Sequence, residues 1–218
     1  MQKNKIAYFI TGTDTDVGKT YIASALVRYF VQQGQTAVGM KPIAAGCEKI
    51  NGALHNADVS ALLAASNLAA RLEDVNPYAF EPAIAPHIAA EQAGVTVSLS
   101  KIKHAFDALQ SQADAVIVEG AGGFRVPINR EHTMADLAVQ LNLPVIMVVG
   151  VRLGCINHAL MTAGSIRAAG LDLVGWVANR IEPDMPALEE NVQTLKAMIK
   201  APCIADVNWG AVPKFSGI

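Results

Sequence analysis

The residues best suited to chemistry lie in one short loop, Gly12–Thr20, with the sequence Gly-Thr-Asp-Thr-Asp-Val-Gly-Lys-Thr. The loop follows an apolar run and precedes a helix-like stretch, which is the setting of a phosphate-binding loop. Glycine lets backbone N–H groups approach phosphate oxygens, and the N-terminus of the following helix adds positive potential. Lys19 is placed to contact the β- and γ-phosphates of a nucleotide, and the Thr20 hydroxyl is suited to ligate Mg²⁺. The loop therefore predicts a nucleoside triphosphate site.

Two features of this loop leave alternatives open. The usual pattern, Gly-x-x-x-x-Gly-Lys, is shorter between its glycines, so Thr13 occupies the position of the first glycine here. A chance Gly-Lys-Thr at an ordinary helix start, capped by Asp16 or Thr15, is the competing interpretation. Asp14 and Asp16 either cap the helix or contact a cationic substrate, because acids beside a triphosphate would otherwise repel it.

A second lysine, Lys41, follows a second apolar run and precedes Pro42. The carboxyl end of a parallel strand faces the mouth of the sheet, so Lys41 could supply a second cation beside the γ-phosphate. Pro42 restricts Lys41 to an extended backbone and fixes the turn. A solvated lysine at a strand end is the alternative.

Glu119 is the candidate metal ligand. It ends a third apolar run and is followed by the small-residue turn Gly120–Gly122, as expected of an acid that assists Mg²⁺ opposite Thr20. Glycines in such a turn permit a ligand to approach the backbone closely. Mg²⁺ prefers one or two carboxylates together with phosphate oxygens. Asp58 could supply the second carboxylate, and a helix cap is the competing role for it.

Two further strand ends could bind other parts of a ligand. The fourth strand runs into Gly154–Asn157 and then a helix, which creates a second helix N-terminus suited to an anion. An Asn157 cap is the plainer interpretation of that segment. Cys155 is predicted to be a packing residue, because no activating base is indicated nearby. Asn179 ends the fifth strand, where its amide could bind an adenine edge or could serve a turn.

These candidates are separated by an alternation of short apolar runs and longer amphipathic stretches. Each run has about five or six residues and is bounded by Gly, Pro, Asn or Asp. Alternation of this kind predicts right-handed βαβ units and a mostly parallel sheet covered by helices on both faces. The predicted strands are Ile6–Thr11, Ala37–Lys41, Ala115–Glu119, Val145–Val149, Leu173–Ala178 and Cys203–Val207, and the predicted helices are Lys19–Gln33, Ala57–Ala70, Ile102–Gln112, Met134–Leu141, Asn157–Ala169 and Ala187–Ile199.

Length and composition favour one domain. The chain has 218 residues, of which 52% are hydrophobic and 17% are charged. So few charges suit a sheet buried on both faces and argue against disorder. Motifs spread from Gly12 to Asn179 converge on one site, so we predict a single domain over residues 1–218. Residues 47–113 fit the alternation less well, and we interpret them as an insertion of helices and loops that covers the site.

The charge pattern and the cysteines give expectations about partners and location. Lys and Arg number 17 against 19 Asp and Glu, which provides no basic footprint for nucleic acid and no polybasic segment for anionic lipid. The apolar run Pro144–Val151 is far shorter than the roughly 18 residues of a membrane span. The stretch Ile6–Ile10 is too short for a secretory signal peptide. Three widely spaced cysteines favour a reduced cytoplasm. We therefore expect a cytoplasmic protein with no nucleic-acid or membrane partner.

Seven motifs occur in order along nearly the whole chain. The most specific are the loop at 12–20 and the segment ending in Gly-Cys-Ile-Asn-His at 150–158. The others are Lys-Pro-Ile-Ala at 41–44, Asn-Pro-Tyr at 76–78, Pro-His at 86–87, Val-Glu-Gly-Ala-Gly-Gly at 118–123 and Gly-Trp-Val-Ala-Asn at 175–179. Together they resemble the dethiobiotin synthetase family.

The resemblance implies a P-loop NTPase fold and a homodimeric ligase of biotin synthesis that uses ATP and Mg²⁺. Its substrates are 7,8-diaminopelargonic acid, ATP and CO₂ or bicarbonate. CO₂ adds to one amine as a carbamate, ATP phosphorylates the carbamate, and the second amine closes a cyclic urea with release of phosphate. Carbamate and triphosphate are both anionic, so cations must neutralise them before they can approach each other.

The family's residue roles carry over to this chain position by position. Lys19 and Lys41 become the electrostatic catalysts, and the Mg²⁺ site becomes Thr20, Asp58 and Glu119. The residues implied at the diamine are Thr15, Asp16, Lys41 and Ala45, with its carboxylate received by Gly154, Cys155, Ile156 and Asn157 of a second subunit. The residues implied at the nucleotide are Thr13, Asp14, Thr15, Asp16, Val17, Gly18, Lys19, Thr20, Asp58, Glu119, Gly120, Ala121, Gly122, Asn179, Asn208, Trp209 and Gly210.

The chain departs from the family's usual pattern at three positions. Ala45 stands where a Ser often hydrogen-bonds the carbamate region, Arg152 replaces the more usual Lys, and Asn208 stands before Trp209 where Pro is frequent. A nucleotide-switched partitioning or scaffold ATPase is the competing class. Those proteins often have an additional lysine near the start of the loop, where this chain has Gly-Thr-Asp. A related ATP-dependent ligase acting on another amine or acid is the second alternative.

Overall fold

The fold is built around a sheet whose strands alternate with helices. The computed structural model describes residues 5–218. In chain order the elements are β1 (Ile6–Gly12), α1 (Lys19–Gln32), β2 (Ala37–Met40), β3 (Ile43–Ala45), β4 (Glu48–Ile50), β5 (Ala53–His55), α2 (Ala57–Ala65), α3 (Leu72–Val75), β6 (Tyr78–Phe80), α4 (Pro86–Gln92), α5 (Leu99–Gln112), β7 (Ala115–Gly123), α6 (Met134–Leu141), β8 (Val145–Gly150), α7 (Cys155–Ala168), β9 (Leu173–Asn179), α8 (Leu188–Met198) and β10 (Cys203–Val207).

The main sheet has six strands in the order β10-β9-β8-β1-β7-β2, and all neighbouring strands are parallel. These are the six strands predicted from the sequence, so the predicted fold class is confirmed. The largest difference in length is at β7, which continues beyond Glu119 to Gly123. It does so because Gly123 still pairs with Gly12 of β1 after a local shift of register.

Apolar side chains project from both faces of this sheet. Phe9 and Val118 join one buried cluster, whereas their chain neighbours Ile10 and Ile117 join the other. Successive residues of a strand point to opposite faces, so an almost continuous apolar strand is the mark of a sheet covered on both sides. The high hydrophobic fraction of the chain follows from this arrangement.

Three predicted helix ends were wrong by two or more residues. Helix α5 begins at Leu99 and not at Ile102, because the Ser98 hydroxyl caps it by accepting from the N–H of Lys101. Helix α2 ends at Ala65 and not at Ala70, because the chain turns back toward β2: Gly39 N–H donates to Ser66 Oγ at 3.0 Å, and Ala37 N–H donates to Asn67 Oδ1 at 2.8 Å. Helix α7 begins at Cys155, two residues before the predicted start, because Gly154 provides the left-handed N-cap at φ 92.

The region 47–113 contains more elements than the sequence predicted. It holds an antiparallel hairpin of β4 and β5, four helices, and β6, which pairs in parallel with β3. Its apolar residues, including Phe80, Ile102 and Phe106, belong to the same buried cluster as Phe9 of the sheet. The region is therefore packed onto the sheet near the end of β2.

None of the helices within residues 5–218 is long and apolar enough to cross a membrane.

Candidate active site

The phosphate-binding loop connects β1 to α1 and is held by its neighbours. Thr13 N–H donates to the carbonyl of Val148 at 3.0 Å, and the Asn179 amide donates to the carbonyl of Val17 at 2.8 Å. Gly18 is the N-cap of α1 at φ 86, and no side chain caps this helix. The interpretation of an ordinary helix start capped by Asp16 or Thr15 is therefore not supported. The loop has the conformation that a phosphate site requires.

Lys19 is buried at the first position of α1. Its ammonium donates to the carbonyl of Asp14 at 2.8 Å, across the loop. Burial, followed by the nearby charge of Lys41, lowers the pKa of Lys19 to about 8. A partly desolvated cation of this kind binds phosphate more strongly than a solvated one, because low local dielectric strengthens the attraction.

Four side chains from four parts of the chain meet beside Lys19: Thr20 of α1, Lys41 after β2, Asp58 of α2 and Glu119 of β7. Thr20 Oγ1 donates to Glu119 Oε1 at 2.7 Å. Lys41 Nζ donates to the same Glu119 oxygen at 2.6 Å and to Asp58 Oδ2 at 2.8 Å. The structure thus brings together the second lysine and all three predicted metal ligands.

Lys41 is not a solvated strand-end lysine, because only 4% of the residue is exposed. Burial opposes its charge, but Glu119 and Asp58 outweigh burial and raise the pKa of Lys41 above its ordinary value. Asp58 is affected in the same manner: burial opposes ionisation, and the ammonium of Lys41 outweighs it and lowers the pKa of Asp58. Both partners are therefore charged at neutral pH.

Asp58 is free for this role because another residue caps its helix. Asn56 Oδ1 accepts from the backbone N–H groups of Asp58 at 3.0 Å and Val59 at 3.3 Å. The same Asn56 amide donates to the carbonyl of Ala45 at 3.3 Å. Asn56 was missed by the sequence analysis, although an Asn two residues before Asp58 is a recognisable cap signal.

Two observations fit a Mg²⁺ ion at this cluster. Glu119 Oε2 is buried and has no hydrogen-bond partner among the described residues, which is costly for a carboxylate unless a cation satisfies it. Thr20 and Asp58 place two further oxygen ligands beside Glu119, a donor set that Mg²⁺ favours. Residues 5–218 contain no group of three or more His, Cys, Asp or Glu side chains that could hold a metal. The remaining ligands would have to be phosphate oxygens and water.

The turn predicted at Gly120–Gly122 belongs instead to the last part of strand β7, and it lies against the phosphate-binding loop. Gly122 has φ 61, and a Cβ there would stand 2.8 Å from a methyl of Val126 and 3.6 Å from Thr15 Oγ1. Ala121 is the single non-glycine residue of Gly120–Gly122 and is partly buried. Position 122 therefore needs glycine both for its backbone angle and for space.

Asp14 and Asp16 do not cap α1. Asp14 Oδ1 accepts from the N–H of Thr15 at 2.8 Å, and Asp14 Oδ2 accepts from Arg152 at 2.5 Å. Asp16 is exposed and has a left-handed backbone at φ 57. The contact of Arg152 was not predicted, since Arg152 was noted only as a departure from the family pattern. It joins the loop after β8 to the phosphate-binding loop.

The remaining predicted residues lie around this centre. Gly154–Asn157 opens α7, where Cys155 is buried and Asn157 is exposed and does not cap. Among residues 5–218, no hydrogen bond or ion pair joins this segment to Lys41, Asp58 or Glu119. The segment Asn208–Gly210 follows β10 and is exposed, and the next residue, Ala211, accepts a hydrogen bond from the Tyr21 hydroxyl.

Relatives of the chain share most of its length. Residues 7–212 match a family model described as an AAA domain. The chain is 49% identical over 211 residues to the ATP-dependent dethiobiotin synthetase BioD of Aromatoleum aromaticum, a match that covers 97% of this chain and 92% of the relative. It is 53% identical over 197 residues to the protein of the same name from Nitrosospira multiformis, covering 90% and 85%.

Solved structures with the same fold are more distant in sequence. The cell division protein MinD of Aquifex aeolicus matches with a TM-score of 0.55 at 16% identity, covering 92% of this chain and 80% of that chain. The cell division protein FtsY of Thermotoga maritima matches with a TM-score of 0.54 at 15% identity, covering 100% and 67%. At these identities the likeness shows the P-loop fold alone. The close relatives go further: this chain belongs to the ATP-dependent dethiobiotin synthetase family.

Proposed function

We propose that this protein catalyses the ATP- and Mg²⁺-dependent carboxylation and ring closure of 7,8-diaminopelargonic acid with CO₂, giving dethiobiotin, ADP and phosphate. One observation carries the proposal beyond a general ATPase. A second buried ammonium, Lys41, lies between the two acids of the metal site and next to the phosphate-binding loop. Transfer of phosphate to an anionic acceptor such as a carbamate needs a cation of this kind on the acceptor side.

The proposed reaction has three balanced steps. One amine of the diamine attacks CO₂ and loses a proton, which leaves a carbamate. A carbamate oxygen attacks the γ-phosphorus of ATP and ADP departs, which leaves a carbamic–phosphoric anhydride. The second amine then attacks the carbonyl carbon and forms the new N–C bond. The C–O bond to the phosphate breaks, phosphate leaves with its electron pair, and the amine loses a proton as the cyclic urea closes.

The two lysines supply the charge that these steps need. Lys19 would contact the phosphates from the loop side, and Lys41 would contact the carbamate and γ-phosphate from the side of β2. Because both are fixed by short hydrogen bonds before any ligand arrives, little reorganisation is needed in the transition state. Bound Mg²⁺, held by Thr20, Asp58 and Glu119, would neutralise charge on the phosphate oxygens.

The other contacts of the substrates are proposed from the family. Thr15 and Asp16 would lie beside the amines, with Ala45 in the carbamate region. The diamine carboxylate would be received by Gly154–Asn157 from a second copy of the chain. The nucleotide would be contacted by Thr13–Thr20, Gly120–Gly122, Asn179 and Asn208–Gly210. The exposed helix N-terminus after Gly154 has the positive potential that a carboxylate requires.

We further propose a homodimer in the cytoplasm, with residues 1–218 as one domain. The exposure of Gly154 and Asn157 supports a role for their loop outside its own subunit. Three free cysteines, Cys47, Cys155 and Cys203, suit a reducing compartment. The region 47–113 shares its buried cluster with the sheet, which supports a single domain.

The test is a complete reaction with separated components. The full chain is incubated with Mg-ATP, ¹³C-bicarbonate and the diamine, and phosphate release is measured together with the mass of the product. We expect phosphate release that depends on both diamine and bicarbonate, and one ¹³C in the cyclic urea. Phosphate release that ignores both but rises with DNA or lipid would instead indicate a partitioning or scaffold ATPase.

A further inference from the structure

The backbone of Lys41 lies outside the main sheet. Strand β2 pairs with β7 through Ala37–Met40 only, with Met40 opposite Val118. Lys41 is the next residue, and its N–H donates instead to the carbonyl of Val75 at 2.9 Å. The sheet therefore positions Glu119, whereas the last residue of α3, Val75, holds the backbone N–H of Lys41.

Asn76 supplies the other half of this hold. Its side-chain amide donates to the carbonyl of Lys41 at 2.6 Å and to the carbonyl of Tyr78 at 3.0 Å. Both partners are acceptors, so the amide nitrogen must face them. Together with the bond from Lys41 N–H to Val75, both backbone polar groups of Lys41 are bonded to neighbouring residues of one segment.

We propose that Asn76 is a positioning residue for Lys41, and that the clamp formed by Val75 and Asn76 sets where the lysine ammonium stands. The proposal rests on the proposed function, in which Lys41 contacts the reacting phosphate and carbamate. Lys41 Nζ is 2.6 Å from Glu119 and 2.8 Å from Asp58, so a backbone shift of about 1 Å would break this geometry and reduce the rate strongly.

The same segment is anchored firmly enough to serve as a clamp. Lys101 of α5 donates to the carbonyl of Pro77 at 3.1 Å, and its ammonium lies 4.4 Å from the ring centroid of Tyr78. The Tyr78 hydroxyl accepts from the N–H of Ser98 at 2.9 Å. Each residue of the Asn-Pro-Tyr motif therefore makes a contact that positions Lys41. Asn76 bonds to the backbone of Lys41, and Pro77 and Tyr78 attach this segment to α5.

A matched control lies at the other end of β2. Asn67 also ties a side-chain amide to the backbone: its Oδ1 accepts from Ala37 N–H at 2.8 Å and its Nδ2 donates to the carbonyl of Gln35 at 3.0 Å. Asn67→Ala therefore removes a tether of the same kind from the same strand, away from Lys41. A lower free energy of unfolding is expected both for Asn67→Ala and for substitutions at Asn76. A displaced Lys41 ammonium is expected only for substitutions at Asn76.

The experiment compares Asn76→Ala and the nearly isosteric Asn76→Asp with Asn67→Ala in the full chain. An aspartate cannot donate to the two carbonyls and its carboxylate is repelled by them, so it should release the backbone of Lys41 at least as strongly as alanine while preserving volume. We expect kcat to fall by about tenfold or more in both Asn76 variants, with the KM for ATP and for the diamine changed by less than about threefold. Asn67→Ala should keep its kcat within about twofold of the wild-type value.

Three results would overturn the clamp: an unchanged kcat, an equal kcat loss in Asn67→Ala, or a loss expressed mainly in both KM values. If Asn76→Ala does not fold, the Asp variant decides these outcomes. If the wild-type chain makes no dethiobiotin, the proposed function fails, and a crystal structure of Asn76→Asp decides the clamp. Lys41 Nζ displaced beyond hydrogen-bond distance of Glu119 supports it, and retained contacts with Glu119 and Asp58 contradict it.

Discussion

At the residue scale, burial determines how the charges of the site behave. Lys19, Lys41 and Glu119 are all less than 9% exposed, and Asp58 lies at the edge of the cluster. Two ammonium groups and two carboxylates balance each other, which allows Lys19, Lys41 and Glu119 to be buried without a ligand. A triphosphate adds several negative charges to this balanced set. Binding of the nucleotide therefore requires additional positive charge, which Mg²⁺ supplies.

Glu119→Gln should weaken metal binding more than it weakens the fold. Glutamine can still accept from Thr20, but it removes the charge of a carboxylate whose second oxygen is buried without a partner. We expect the Mg²⁺ concentration for half-maximal activity to rise by about tenfold or more. Mutation of residues that only support the ligands of a metal site already lowers metal affinity by about that factor. Mn²⁺ binding followed by electron paramagnetic resonance gives a readout without turnover. Glu189→Gln, an exposed acid beside Arg180, is the control, and an unaltered Mg²⁺ titration in Glu119→Gln would remove Glu119 from the metal site.

Lys19 should make nucleotide binding depend on pH. Burial lowers its pKa to about 8 in the free protein, and a bound phosphate would favour the charged form and raise that pKa. Affinity is then fully present below pH 8 and falls above it, by up to about tenfold per pH unit. Calorimetric titration with Mg-ADP between pH 7 and 9.5 measures this slope. Lys19→Met should bind more weakly and lose the slope, and a slope that persists in this variant would assign the titration to another group.

At the element scale, the phosphate-binding loop is fixed by contact with β9. The Asn179 side chain donates to the carbonyl of Val17, and a Cβ added at Gly18 would stand 2.2 Å from the same Asn179 nitrogen. A larger residue at position 18 therefore requires the Asn179 amide to move away from the loop. This close approach also explains why Asn179, which the sequence analysis assigned to an adenine edge or a turn, is buried against the loop.

Gly18→Ala and Gly34→Ala should separate backbone strain from steric conflict. Both glycines have positive φ, 86 and 74, but a Cβ at Gly34 meets nothing within 4 Å. Gly34→Ala should cost about 1 kcal/mol of unfolding free energy and leave ADP affinity unchanged. Gly18→Ala should cost more and lower ADP affinity by about tenfold or more, because Asn179 must move. Urea denaturation and calorimetry measure both, and equal effects in the two variants would show that only backbone strain matters.

The sequence predicted the elements that carry a clear local pattern of apolar residues. The six sheet strands were found because apolar runs such as Val145–Val149 are buried on both faces and bounded by turn residues. Strands β3 to β6 have three residues each, too few for a periodic signal, and they depend on partners distant in sequence. The same holds at the site: Lys41 and Glu119 were predicted from their places at strand ends, whereas the contacts of Asn76 with Lys41 depend on how the inserted region packs.

At the scale of the whole molecule, the loop after β8 links the candidate site to the surface of the protein. Arg152 reaches the Asp14 carboxylate of the phosphate-binding loop, whereas Leu153, the next residue, is 87% exposed. On α7, Met161 is 68% exposed while Ala159 and Ala163 are buried. One side of α7 therefore covers the sheet, and the other presents Met161 to solvent together with polar residues such as Asn157 and His158.

If the proposed homodimer shares its sites, two inactive variants should restore each other. Lys41→Ala removes the proposed catalytic cation, and Asn157→Asp places a negative charge where the carboxylate of the diamine would be received, at a helix N-terminus that tolerates Asp. In a mixed dimer, one site combines both defects and the other has neither, provided that Gly154–Asn157 serves the opposite subunit. Equal amounts of the two variants are unfolded together and refolded, so that about half of the dimers are mixed. Since one of the two sites in each mixed dimer is intact, the mixture should regain about a quarter of the wild-type rate at limiting diamine. No recovery, in a mixture that light scattering shows to be dimeric, would place the loop in its own subunit's site.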